Sequence, residues 1–337
     1  MIISRTPFRV SFFGGGTDYP AWFRDNGGRV LTSTINRYCY LTARYLPPFF
    51  DQRSRVVWSK IELIDTPAQI EHPAVRAILQ FLQINDGVEI HHVGDLPARA
   101  GLGSSSAFSV GLLHALRALR GEMSGKGQLA DDAIHVEQDL LQEAVGVQDQ
   151  IEVAFGGINV IDIRRDGTYQ VSPVILGRER VQEFESHLML FFTGVSRFSS
   201  EIARSQIDAI PDKRRELAGM RQLVDEALAV LVGKGSLLPF GELLDASWKL
   251  KRSLSSRIST GQVDAAYEAA RRAGALGGKL LGAGGGGFML LFAPPGKQGA
   301  VRQALSGLLE IPFELEHAGS QIIFCDPAGA RGRSAAA

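Results

Sequence analysis

Cysteine is scarce in this chain of 337 residues: there are two, Cys39 and Cys325, each in an apolar, strand-like setting. No CxxC-type spacing accompanies them, which excludes a cysteine metal site and fits a reducing compartment. Long apolar runs are missing too. Leu188 to Phe192 and Phe288 to Ala293 fall far short of the roughly 20 residues a membrane helix needs. Met1 to Val10 is interrupted by Arg5, Pro7 and Arg9, unlike a signal peptide. Nor is there an excess of charge, because 36 Lys plus Arg balance 36 Asp plus Glu. Nothing in that average draws the chain onto nucleic acid or an anionic membrane. The expectation is a soluble cytoplasmic protein whose partners are small molecules, with a homodimer left open.

Glycine, by contrast, is plentiful: 38 residues, concentrated at Gly14 to Gly16, Gly101 to Gly103 and Gly282 to Gly287, each cluster wedged between apolar elements. Glycine exposes backbone N–H groups with no side chain in the way, so such clusters suit close approach to a ligand. Around them, Ile2 to Phe13, Val30 to Ile35, Tyr38 to Tyr45 and Val88 to Val93 read as strands. Apolar spacing predicts helices over Pro73 to Leu82, over Ser104 to a stop at Gly121, and over Gln128 to Glu143. Strand Phe155 to Ile163 and a charged turn place a boundary near residue 170. Beyond it come strand His187 to Thr193, helices near Lys213 to Leu231, Gly241 to Leu254 and Val263 to Ala273, then strands Gly287 to Phe292 and Ser320 to Cys325. Strands followed by helices in each half indicate an α+β protein of two lobes, residues 1–170 and 171–327, with a loose tail at 328–337.

The loop Gly101-Leu102-Gly103-Ser104-Ser105-Ser106 feeds an amphipathic helix. It is either a tight turn with a serine cap or an anion site at the positive end of a helix dipole. The GxxxxGK[ST] lysine is absent, so it is no P-loop. Gly282 to Gly287 contains a formal GxGxxG, but helix precedes and strand follows, the reverse of a dinucleotide fingerprint. Arg9 and Asp18 flank the first glycine turn, as a surface salt bridge or as donors and acceptors for a polyol. Glu137 has apolar neighbours at i−4, i−3 and i+4 and therefore needs a partner. Asp149, twelve residues later in Gly-Val-Gln-Asp-Gln, is either a cap or a carboxylate held at a cleft.

Together, and in order along nearly the whole chain, these motifs resemble the GHMP kinase superfamily of galactokinase, homoserine, mevalonate and phosphomevalonate kinases. The resemblance implies a two-lobed fold, with a ribosomal protein S5 domain 2-like amino-terminal lobe and a ferredoxin-like carboxyl-terminal lobe. It implies ATP and Mg²⁺ as cofactors. Gly101, Leu102, Gly103, Ser104, Ser105 and Ser106 would wrap the phosphates, joined by Gly284 and Gly285, while Ser105 and Glu137 would reach Mg²⁺. Asp149 would be the catalytic base and Arg9 its catalytic neighbour. Arg9, Gly15, Gly16, Thr17, Asp18 and Gly285 would face the sugar. One departure stands out: galactokinases carry a glutamate and a histidine where this chain has Gly15 and Gly16, which empties the sugar pocket of a carboxylate and of bulk.

In that departure, and in GGKLLGAGGGGF, the chain resembles bacterial D-glycero-D-manno-heptose 7-phosphate kinases. These phosphorylate the anomeric C1 hydroxyl in nucleotide-heptose and surface polysaccharide biosynthesis. Fucokinase- or galactokinase-like action on a free sugar is the alternative, and a non-catalytic sugar and ATP sensor is a second. A substrate phosphate would need a cationic clamp, with Arg37, Arg44, Lys249, Lys251, Arg252 and Lys279 as candidates.

Overall fold

The computed structural model describes residues 1–47, 49–194 and 199–326; the tail expected at 328–337 lies outside them. The strands are β1 (Ile2–Phe13), β2 (Gly28–Tyr45), β3 (Ser54–Val57), β4 (Ile61–Ile64), β5 (Val88–Gly94), β6 (Ile158–Ile163), β7 (Tyr169–Pro173), β8 (Leu188–Gly194), β9 (Gly277–Leu280), β10 (Gly287–Phe292), β11 (Leu309–Glu310), β12 (Leu315–Glu316) and β13 (Gln321–Cys325). Nine of them form one sheet, in the order β13-β1-β2-β5-β3-β4, with β6 and β12 beside the first half of β2 and β7 beside β6. The other four form a second sheet, β11-β8-β10-β9, antiparallel throughout. The two strands expected at Val30 to Ile35 and Tyr38 to Tyr45 are one, because β2 pairs with β6 along Gly28 to Ser33 and with β5 along Cys39 to Tyr45.

The helices are α1 (Pro20–Asn26), α2 (Pro73–Phe81), α3 (Ser104–Leu119), α4 (Lys126–Ile134), α5 (Gln148–Phe155), α6 (Arg178–Ser186), α7 (Ser199–Ala209), α8 (Arg214–Val232), α9 (Leu238–Leu254), α10 (Gly261–Arg272) and α11 (Pro295–Ala304). Helix α3 packs on β1 and β2, and α9 on β9 and β10. Two features of the strand pairing cross the division expected near residue 170. Strand β7 carries the first sheet on to Pro173, and β12 and β13 leave the second lobe to pair with β2 and β1. The open edge of β1 supplies the reason, since its N–H and C=O groups are satisfied by the returning strand.

The lobes share one apolar core. At the end of β1, Phe12 and Phe13 make edge-on contacts with Phe240 of α9 at 5.7 and 5.1 Å, and Phe184 of α6 lies 5.4 Å from Phe12. All four rings are fully buried. Edge-to-face pairs contribute about 0.5–1.5 kcal/mol each beyond area burial. This cluster fixes the glycine turn that follows Phe13 against the second lobe.

Candidate active site

Gly14 and Gly16 are required by the turn itself, with φ of +79° and +100°, and a Cβ on Gly14 would meet Arg29 O at 2.0 Å. Gly15 is different. A Cβ there would lie 3.5 Å from Ser11 Oγ and 3.6 Å from Gln148 Nε2, an ordinary contact in a backbone conformation open to any residue. The space beside Gln148 is therefore a choice of side chain and not a demand of the chain path. The Thr17 hydroxyl, expected to face the sugar, is buried and donates to Gly14 O at 2.7 Å, so it builds the turn. Asp18 is also buried and accepts the Gly16 N–H at 2.8 Å. A Cβ on Gly146 would fall 1.8 Å from Asp18 Oδ2, which explains the glycine opening the GVQDQ segment. Burial first, and the nearby Asp149 carboxylate second, raise the Asp18 pKa.

Asp149, a cap or a cleft carboxylate from its sequence, sits in the first turn of α5. Arg9, on β1, grips it with both arms of its fork, Nε to Oδ1 at 2.7 Å and Nη2 to Oδ2 at 2.6 Å. The third guanidinium nitrogen donates to Gly101 O at 2.7 Å, and the Arg9 N–H donates to Leu102 O at 3.0 Å. One arginine thus ties the serine loop to the aspartate. Arg9 is 3% exposed and Asp149 26%, so the carboxylate, not the cation, faces the cleft. Each of its oxygens keeps a lone pair for an incoming hydroxyl.

The serines do not cap α3 as expected. Its N-cap is Gly103, in the left-handed region, with no side-chain cap. Ser104 Oγ accepts from Arg99 N at 3.0 Å, Ser105 is exposed, and Ser106 Oγ donates to Glu137 Oε2 at 3.0 Å. The first-turn N–H groups of α3 are left for an anion.

Glu137 has the partners its apolar setting demanded. The helix expected to run unbroken from Gln128 to Glu143 widens at His135–Leu140 into a π turn, in which Leu141 N donates to Val136 O. The Glu137 carboxylate is buried there, and Ser106 and Gln150 Nε2 both donate to its Oε2. Its Oε1 is buried with no partner among the described residues. Burial pushes its pKa up to about 7. No group of three or more His, Cys, Asp or Glu among the described residues surrounds a metal position. One carboxylate with an orphaned oxygen beside serine hydroxyls nevertheless suits Mg²⁺, which takes one or two carboxylates and completes its shell with phosphate oxygens and water.

Sequence reading missed Ser106 and Gln150 as the partners of Glu137; both stand inside the quoted motifs, but nothing in the spacing singles them out. It also missed Glu152, one turn beyond Asp149, fully buried, accepting from Asn159 Nδ2 at 3.1 Å, and raised by burial to a pKa of about 8. The folded state therefore holds protons on Glu137 and Glu152 at pH values where the unfolded chain has lost them, and stability falls as pH rises from about 5 to 8. Glu152→Gln keeps the bond from Asn159 and removes the penalty at its site. Thermal melts across that range should show a flatter stability profile than the parent, and an unchanged profile would mean that Glu152 is ionised in the fold.

Of the cationic candidates, four turn elsewhere. Arg37 donates to backbone carbonyls, Arg44 pairs with Glu89, Lys249 with Asp245 and Arg252 with Asp264. Lys251 and Lys279 are buried, and Lys279 reaches across to Phe12 O in the first lobe. On the far side of the site, Gly285 N donates to Ile258 O at 2.9 Å, and a Cβ on Gly284 would meet that same carbonyl at 2.6 Å.

Comparison with known proteins bears on this arrangement. The family model for the GHMP kinases N terminal domain matches residues 69–157, and that for the GHMP kinases C terminal matches residues 226–310. A protein of Campylobacter jejuni named D-glycero-alpha-D-manno-heptose 7-phosphate kinase is 26% identical over 90% of this chain and 93% of its own. A mevalonate kinase of Pyrococcus abyssi is 31% identical over 69% of this chain and 67% of its own. The crystal structure of a D-glycero-D-manno-heptose 1-phosphate kinase from Bacteroides thetaiotaomicron superposes with a TM-score of 0.78 at 24% identity, covering 97% of this chain and all of that one, a likeness of fold. No described helix is long and apolar enough to cross a membrane. The serine loop at an uncapped helix, the arginine-held aspartate and the matching models at both ends place the chain in the GHMP kinase family, as a phosphotransferase with an alcohol group as acceptor.

Proposed function

We propose that the chain transfers the γ-phosphoryl group of ATP to the anomeric C1 hydroxyl of D-glycero-D-manno-heptose 7-phosphate, giving the 1,7-bisphosphate for nucleotide-activated heptose. The observation that carries this reading is the side-chain-free space at Gly15, beside Ser11 and Gln148. It leaves room, and no opposing carboxylate, for an acceptor that already bears a phosphate. The full-length likeness to the Campylobacter heptose 7-phosphate kinase supports it.

Phosphoryl transfer requires positioning and charge neutralisation more than covalent chemistry. The N–H groups at the start of α3 hold the phosphates, backed by the glycines at 282–287. Glu137, with Ser105 or Ser106, would hold Mg²⁺, which when bound neutralises charge on the phosphates. Arg9 fixes Asp149, and the free lone pair of Asp149 orients the acceptor hydroxyl and takes its proton. The Asp149–Arg9 pair is the feature that separates a kinase from a sensor, since a sensor has no use for a base.

The test is ADP release by the purified protein with Mg-ATP and heptose 7-phosphate, free heptose, galactose or fucose. Turnover confined to heptose 7-phosphate, lost preferentially in Gly15→Glu, is the expected result. Preference for a free sugar leaves the kinase and removes the phosphorylated acceptor. Silence with ATP still bound favours the sensor.

A further inference from the structure

The floor between the lobes carries two lysines for which the chemistry above has no use. Lys279, on β9, is 2% exposed and donates to Phe12 O at 3.0 Å, directly ahead of the acceptor turn. Lys251, on α9, is 7% exposed and donates to Leu280 O at 3.1 Å and to Gly282 O at 2.5 Å. Neither has a carboxylate within ion-pair distance among the described residues. An ammonium has three donors, so Lys279 has two unspent and Lys251 one. Both are coupled electrostatically to Arg9 and Asp18, and Lys251 also to Asp149; Glu137, at the phosphate loop, is not among their charged neighbours. Lys279, under Phe12 O, thus lies at the acceptor turn, and Lys251, on Leu280 O and Gly282 O, lies where that turn meets the third glycine loop. With both charged, three cations (Arg9, Lys251, Lys279) face two carboxylates (Asp18, Asp149) while burial keeps the proton on Glu152 beside Arg9, and an unbalanced buried charge is costly.

We propose that Lys251 and Lys279 form a cationic floor completed by the acceptor's own phosphate, and that they set the preference for a phosphorylated over a free sugar. The proposal rests on the reading of the acceptor given above and adds the residues that recognise its charge. In the empty site burial favours the neutral amines: it brings Lys251 down to about 8 and Lys279 well below the usual lysine range. An arriving dianion favours the charged forms, so binding draws protons from the buffer.

That uptake is the experiment's first readout. Heptose 7-phosphate and free heptose are titrated calorimetrically into the full-length protein with Mg²⁺ and a non-hydrolysable ATP analogue at pH 8, in buffers of different ionisation enthalpy. The phosphate, whose second pKa is about 6, has no proton left to release at that pH. The phosphorylated sugar should bind with net proton uptake and the free sugar without it. The uptake should shrink in Lys279→Gln and Lys251→Gln, which keep a donor for the backbone carbonyls, and persist in Glu152→Gln. The second readout is kinetic. In each lysine variant the KM for heptose 7-phosphate should rise roughly ten- to hundredfold, the loss of a charge-assisted bond, and more than the KM for ATP.

A parent enzyme that turns over heptose 7-phosphate without proton uptake, or lysine variants that keep both uptake and KM, would overturn the cationic floor and leave the proposed function standing. An equal rise in the KM for ATP would move the lysines to the γ-phosphate and likewise overturn it. A parent that ignores heptose 7-phosphate removes the functional reading first. Should one lysine variant fail to fold, the other and the parent's proton balance still decide.

Discussion

Asp149→Asn should abolish turnover while leaving acceptor binding largely intact. An amide keeps the shape of the carboxylate but cannot take the hydroxyl proton, and losing a positioned base lowers rates about 10²- to 10⁴-fold. The change also places an NH₂ against one arm of Arg9, so one of the two fork bonds at 2.7 and 2.6 Å is lost. Arg9 keeps its bond to Gly101 O, which anchors the guanidinium. Steady-state kinetics and a direct measurement of the acceptor Kd check both halves. A kcat within a few-fold of the parent would remove Asp149 as the base and leave Arg9 and the helix start to do the work by positioning alone.

The pairing of Arg9 with Asp149 spans 140 residues, and this explains which parts of the site were legible in the sequence. Each motif is local, and its residue types announce a chemistry: glycines for backbone approach, serines at a helix start, a carboxylate among apolar neighbours. Which motif meets which is fixed by the sheet. Arg9 lies on β1, beside the helices α3 and α5 that bring Gly101 and Asp149 to it. No period or spacing encodes that juxtaposition.

Three failures of local reading have physical causes. Helix α5 was hidden because its eight residues, Gln148–Phe155, follow the GV of the motif with no cap signal and lead into an apolar strand. The π turn around Glu137 preserves an approximately helical apolar pattern, so periodicity alone reads straight through it. The return of β12 and β13 to the first sheet could not be seen, because two-residue and five-residue strands near the end of a chain carry no mark of their partner. Strong periodicity, as in α3, α8 and α9, gave helix positions within a few residues because those elements bury one stripe against the core.

The second large effect is expected at a contact made of backbone alone. Gly282 has a φ of +70°, and a Cβ on it would lie 2.4 Å from Gly101 Cα; a Cβ on Gly101 would in turn meet Leu281 O at 2.4 Å. The two glycine loops touch main chain to main chain, and beside them Phe288 N donates to Ala100 O at 3.1 Å. Gly282→Ala must therefore part the loops or twist one of them. Gly101 cannot move alone, because its carbonyl holds Arg9 and Arg9 holds Asp149. A displacement of about 1 Å in a positioned reaction costs on the order of 10²-fold, so kcat should fall at least that far, with a raised KM for ATP. The folded core lies elsewhere, and the melting temperature should drop by only a few degrees. Gly127→Ala is the control: apart from the adjoining residues and the helix's own backbone, no atom lies within 4 Å of the added methyl, and the position is inside α4, so activity should be unchanged and the helix slightly more stable. If Gly282→Ala retained the parent's kcat, the loops would have room to separate without disturbing the phosphate site. The chain of contacts from Gly282 through Gly101 and Arg9 to Asp149 would then not be what aligns the base.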